Sequence, residues 1–452
     1  RCFEDANGRD LKQFRLWYAQ SGTPVVEAKG EYDAASQTYA LTLKQSLGAT
    51  PGQPEKKPMH MPIRLGFVAK SGRAMPLTLD GENATGPEER VLELTAPEQK
   101  FLFVGVAEEP LVSLGRHFSA PVVFKTGADR KARAALMARD TDDFNRWEAS
   151  QMLATDLLLE MAGVAQSGQT PVADSIYIDA IGEVLARAED DHAFAAQMLV
   201  PPLESEMAMA MTPADPDAIN KARVTLIRDV QKAHGARVAE LYGKLELKGP
   251  YSPDAEAAGR RSLRNALLRY LTSADDEASA EIAYKHYTSA TNMTDMIAGL
   301  AALTRMNSKR RDEAFTHFHD RFCTDPLVLD KWMSLQAGSP ASDTIERVRG
   351  LMKDPHYDIK NPNRVRALIG AFAGNHLRFH AKDGAGYALV GEIIRALDAI
   401  NPQVAARMSG AFENWRRYDT HRQSLMRGEL EKTLKKENIS ANVFEVVTKM
   451  LN

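Results

Sequence analysis

The feature that most constrains the fold is a change of hydrophobic period near Lys125-Thr126-Gly127. Before it, Tyr39, Leu41 and Leu43 alternate with polar or small residues, as do Ile63, Leu65 and Phe67. Phe101-Leu102-Phe103-Val104 and Val122-Val123-Phe124 add short apolar runs. A period of two sends side chains to opposite faces of a strand, so one face of each segment is built for burial. A Gly/Pro-rich loop over 48–58, Ser71-Gly72 and Asp80-Gly81 separate these segments, and no long helical pattern interrupts them. A small antiparallel β-sandwich over 23–125 follows.

After Gly127 the period is helical to the end. Trp147, Ala154, Leu158 and Met161 share a face, as do Leu263, Ala266, Leu267 and Tyr270, then Met293, Met296, Ile297 and Leu300, then Val365, Leu368, Ile369 and Phe372. Caps and breaks recur at Thr141-Asp142, Asp215-Pro216, Ser252-Pro253, Asn292, Asn361-Pro362, Asn401-Pro402 and Asp419-Thr420. Many short helices joined by short turns predict a large all-α superhelical, solenoid-like domain over 126–452. The expected class is therefore multidomain β + α, and 452 residues are too many for one core. Ahead of the strands, Leu11, Phe14 and Tyr18 fall on one helical face, which stops at Ser21-Gly22-Thr23-Pro24. The chain starts at Arg1 without a methionine and inside an element, which reads as a piece of something longer.

Charge excludes some partners. Lysine and arginine total 57 against 60 aspartate and glutamate, a net charge of −3, so no nucleic acid or anionic membrane is expected. No apolar run is long enough to span a membrane. Cys2 and Cys323 lie far apart and make neither a disulfide framework nor a zinc pattern, which fits a reducing compartment.

Catalytic patterns fail one by one. No histidine is followed by glutamate, so the His-Glu-x-x-His zinc helix is absent. His317 and His319 form the closest pair, but two positions on a helix turn them about 200° apart, which argues for surface or packing roles. Gly384-Ala385-Gly386 begins like a dinucleotide fingerprint, yet leucine stands where its third glycine belongs and no strand precedes it, so a helix start explains it. Met293 and Met296 read as ordinary core, and Trp17, Trp147, Trp332 and Trp415 as dispersed core anchors. No catalytic residue and no metal ligand is assigned.

Two helix starts, forty positions apart, leave polar groups that the apolar pattern does not use. Asn361-Pro362-Asn363-Arg364-Val365-Arg366 opens one and Asn401-Pro402-Gln403-Val404-Ala405-Ala406-Arg407 the other. Asparagine caps a free N–H, and proline at the first helical position gives up only an N–H that had no partner. Gln403 and Arg407, at i and i+4, project from one face, and Arg366 flanks its helix's apolar stripe. Exposed arginines with loose ion pairs are one reading. A carboxylate-binding pocket is the other, because guanidinium binds carboxylate through two parallel hydrogen bonds.

Beyond these readings, Trp17-Tyr18-Ala19-Gln20-Ser21-Gly22-Thr23-Pro24 resembles the Trp-x-x-Gln-x-Gly-x-Pro stretch that closes the catalytic domain of bacterial aminopeptidase N, a thermolysin-like zinc metalloaminopeptidase family of the gluzincins. The resemblance continues through Leu263-Arg264-Asn265, Asn292-Met293-Thr294-Asp295, Asp330-Lys331-Trp332, the block from Asn361 to Gly374, and Asn401 to Arg407. It implies that 1–22 is the C-terminal tail of a catalytic domain upstream, 23–125 the small β-sandwich, and 126–452 a helical cap over the active site. Zinc is then expected in that catalytic domain and no cofactor in this chain. The isolated chain is expected not to hydrolyse peptides. The resemblance implies peptide substrates and the upstream catalytic domain as partners, a cytoplasmic location, and Arg366, Gln403 and Arg407 as groups holding the peptide beyond the scissile bond. The rival expectation is a helical-solenoid scaffold for protein partners with an accessory β-sandwich.

Overall fold

The structure is a computed structural model and describes residues 2–452. It divides into two compact units, one running through Ala154 together with Ser175–Val184, the other formed by Thr155–Asp174 and Leu185–Asn452. In the first, the alternating segments become strands β1 (Val25–Asp33), β2 (Thr38–Ser46), β3 (Met61–Val68), β4 (Ala74–Met75), β5 (Thr78–Leu79), β6 (Glu89–Leu94), β7 (Glu98–Val104), β8 (Leu111–Leu114) and β9 (Val123–Lys125). One sheet has the order β5-β7-β2-β1-β9; in the other, β3 pairs with β4, β6 and β8. All pairings are antiparallel except β1 with β9, which is parallel. The expected antiparallel sandwich therefore carries one parallel edge.

Its core joins the two sheets. Tyr39, Leu41 and Leu43 from β2 and Ile63, Leu65 and Phe67 from β3 are all buried, as the alternation requires. The Phe67 ring meets Tyr39 at 5.0 Å and Phe103 at 4.9 Å, both edge-on, the geometry aromatic quadrupoles favour. Buried Gln45 pins the end of the 48–58 loop: its side chain donates to the carbonyls of Met59 and Ala96 at 2.9 Å and accepts from the Met59 N–H at 2.7 Å. The segment before the strands differs from expectation. Helix there is confined to Cys2–Asn7 and the single turn Leu16–Ala19, and Tyr18 is 89% exposed rather than on a buried face. Trp17 anchors the segment instead, by donating from Nε1 to the His60 carbonyl at 2.9 Å.

The second unit is a stack of helices in which sequence neighbours pack on one another, such as Pro216–Lys244 on Ala255–Leu271 and Glu277–Ser289 on Met293–Leu303. The caps lie where the sequence placed them. Asp215, Asn292, Asn361, Asn401 and Asp419 each accept from a backbone N–H two or three residues on. At Ser252-Pro253 the cap falls one residue later, on Asp254. Val365, Leu368, Ile369 and Phe372 are fully buried, and so is Leu300, whereas Met293 is half-buried. Among the described residues no helix is long and apolar enough to cross a membrane.

Candidate functional site

The two Asn-Pro helix starts meet at one cavity. Pro362, Arg366, Gly370 and Gly374 from the first and Val404, Arg407 and Met408 from the second line a volume of about 410 Å³. Val365 and Leu368 turn the other face of the first helix into the core, as Ala405 does for the second, which leaves the arginines outward. Arg366 donates to the Asn363 carboxamide oxygen at 3.2 Å. The Arg407 side chain has no ion pair or hydrogen bond to another described residue. Gln403 is exposed and is not part of the lining. The structure thus brings Arg366 and Arg407 together at one opening and leaves Gln403 beside it.

Two features of this site were not visible in sequence. From Arg366 to Gly370 the helix widens into a π-helical turn, in which the Ala371 N–H donates to the Arg366 carbonyl five residues back. Such turns are rare and concentrate at functional sites. The second is the division of labour between neighbouring arginines. Arg364 is buried and tied to the carbonyls of His356, at 3.1 Å, and Pro326, at 2.9 Å, and to the Asp330 carboxylate. Arg364 is a fastening, whereas Arg366, half a turn on, is solvent-facing. Among the described residues no acid lines the cavity, so its two guanidinium groups give it a positive wall. Chemically this can hold an anion or a row of carbonyl oxygens.

A third arginine was missed altogether. Arg269 lines a separate cavity of about 420 Å³ with Leu268, Ala301, Leu335 and Pro340. Its Nη1 is screened from solvent without a hydrogen-bond partner among the described residues. Burial, with the adjacent positive charge of Arg305, pushes its guanidinium down to about 9. The available signal was an arginine embedded in the apolar run Leu267-Leu268-Arg269-Tyr270-Leu271.

With this geometry described, comparison with known proteins defines a class and then a family. Residues 22–127 match the family described as "Domain of unknown function (DUF3458) Ig-like fold", and 130–452 match "Domain of unknown function (DUF3458_C) ARM repeats". An Ig-like domain followed by helical repeats is thus the class. The chain belongs to the family formed by the C-terminal half of bacterial aminopeptidase N. It is 37% identical to aminopeptidase N of Escherichia coli (strain K12), 40% identical to that of Caulobacter vibrioides and 34% identical to that of Haemophilus influenzae. Each match takes in 100% of this chain and 51% of the relative, so the chain spans about half the length of the curated relatives it matches. A crystal structure of Legionella pneumophila aminopeptidase A in complex with aspartic acid is similar over 99% of this chain and 51% of its own, with a TM-score of 0.84 and 27% identity. The sequence holds no His-Glu-x-x-His, so the residues present do not fit the catalytic zinc of such enzymes.

Proposed function

We propose that this chain is the non-catalytic portion of a zinc-dependent aminopeptidase that removes N-terminal residues from peptides, and that its helical domain caps the active site and binds the peptide beyond the scissile bond. The observation that carries the reading is the cavity between the two Asn-Pro helices, with Arg366 and Arg407 on its wall and no acid among its lining residues. Arg407 keeps its donors uncommitted, which suits a group that waits for an anionic ligand. Gln403, exposed one turn earlier, supplies a neutral donor at the rim. Zinc and the bond-breaking residues would come from the catalytic domain, which is the chain's principal partner. Free thiols at Cys2 and Cys323 support a reducing, cytoplasmic setting.

The test is kinetic, on the whole enzyme. Arg407→Ala is expected to raise KM for di- and tripeptides about tenfold while leaving aminoacyl-arylamides, which have nothing beyond the scissile bond, within about twofold. Equal effects on both substrate classes would overturn the assignment.

A further inference from the structure

His317 and His319, the pair dismissed by helical geometry, part company in the structure. His317 pairs through Nδ1 with the Tyr287 hydroxyl at 2.7 Å. His319 instead faces Asp354 and His356, and one donor atom from each of these three lies within 4.8 Å of the other two. His319 sits in the last turn of helix Lys309–Phe322, and its partners lie on the turn that follows helix Thr344–Leu351.

Both sides are held in place. Asp354 Oδ1 accepts from the His356 backbone N–H at 2.8 Å and lies 3.0 Å from His356 Nδ1, so the turn presents the carboxylate and the imidazole as a unit. Buried Arg364 fastens that turn through the His356 carbonyl at 3.1 Å. The His319 ring rests on Trp332 with centroids 4.6 Å apart. Its Nε2 is screened from solvent and lacks a hydrogen-bond partner among the described residues. The nearest carboxylate oxygen, Asp354 Oδ2, is 3.8 Å away, beyond hydrogen-bond reach. An unpartnered, screened imidazole nitrogen facing a carboxylate and a second imidazole is the arrangement a cation completes.

We infer that His319, Asp354 and His356 form a mononuclear site for a divalent transition metal of the zinc class, with His319 Nε2, Asp354 Oδ2 and an imidazole nitrogen of His356 as ligands. Two imidazoles and one carboxylate suit zinc, whereas calcium and magnesium favour all-oxygen shells. Metal–ligand bonds of about 2.0 Å in a tetrahedron place ligand atoms about 3.3 Å apart. The 3.8 Å between His319 Nε2 and Asp354 Oδ2 is about half an ångström longer than that edge, and the other carboxylate oxygen, Oδ1, lies 3.0 Å from His356 Nδ1. Water would take the fourth position, and the ion would staple the end of one helix to a turn beyond the next two helices.

The probe is Zn²⁺ alone, titrated calorimetrically into the chelator-treated chain. The expected result is one site per chain, weakened at least about tenfold by His356→Ala, whose exposed side chain can be removed without a packing defect, and by His319→Gln. Saturating Zn²⁺ should also raise the thermal midpoint of the native chain but not that of Asp354→Asn. Absence of saturable binding, or an affinity that none of the three substitutions changes, would overturn the assignment.

Discussion

Acid should loosen the helical unit through histidines that the fold keeps neutral. His286 is 1% exposed and pairs through Nδ1 with the Tyr242 hydroxyl at 2.7 Å. Burial, aided by the nearby Arg264 charge, holds its pKa down at about 4. His376, next to the Tyr418 hydroxyl, is likewise pushed down to about 4, by burial first and then by Arg422. His380 is lowered by burial, with His376 and Arg422 adding to the effect. In each case the folded pKa lies below the unfolded value of 6.5, so the unfolded chain binds more protons as pH falls. Their contribution is complete above pH 6.5 and is lost on descending towards 4. At pH 5, about 1.5 pH units into that window, His286 and His376 each forfeit about 2 kcal/mol, with His380 acting in the same direction. A loss of about 4 kcal/mol or more is a large share of the 5–15 kcal/mol that a domain has in total. The acids whose pKa values desolvation raises, Asp140 and Glu148, lie outside the helical unit, and lowered aspartates such as Asp343, Asp398 and Asp419 act below pH 4. Urea denaturation followed by far-UV circular dichroism at pH 7.5, 6 and 5 measures the effect. His286→Gln combined with His376→Gln should flatten the dependence. Equal stability at pH 7.5 and 5, or an unchanged slope in the double variant, would show that these histidines do not govern acid stability.

Other outcomes follow from single residues. Arg269→Met keeps the aliphatic stem but removes a guanidinium whose Nη1 has no partner, and is expected to raise stability by ~1 kcal/mol in denaturant melts; a loss of that size would show that the charge is compensated. At Gly370 an added Cβ would meet Arg366 Cγ at 3.5 Å and Met408 Cε at 4.0 Å, ordinary contacts within the arginine-lined cavity. Gly370→Ala is therefore expected to leave the melting temperature unchanged or slightly higher, because alanine is the better helix former, while weakening peptide turnover by the whole enzyme. Unaltered peptide KM in that variant would place the peptide elsewhere.

Local physics was legible in the sequence, and long-range pairing was not. Alternation at Tyr39-Leu41-Leu43 and Ile63-Leu65-Phe67 fixed which faces are buried, since a one-residue slip would expose them all. Asparagine and aspartate caps marked the helix starts because their hydrogen bonds span only two or three residues. Sequence patterns also placed Arg366 and Arg407 outward, but not at the same cavity, which depends on how two helices forty residues apart pack. The π-helical turn left no trace, because Arg366-Ala367-Leu368-Ile369-Gly370 has ordinary helical periodicity. Leu11, Phe14 and Tyr18 misled because a three-point helical match cannot show that Trp17 has a carbonyl to bind on the neighbouring strand region. The sequence neighbour of His319 is His317, whereas the groups it faces, Asp354 and His356, lie more than thirty residues away.

In the proposed function the arginine-lined cavity reads the far end of a peptide. The direct measurement compares kcat/KM of the whole enzyme for a tripeptide with a free C-terminal carboxylate against the same tripeptide amidated, before and after the double substitution Arg366→Ala, Arg407→Ala. A bidentate guanidinium–carboxylate contact is worth about 1.5–3 kcal/mol, so the native enzyme should favour the free acid by about tenfold or more. The double variant should lose that preference while keeping its rate on the amide. A preference that survives the double substitution, or no preference in the native enzyme, would rule out this role for the two arginines.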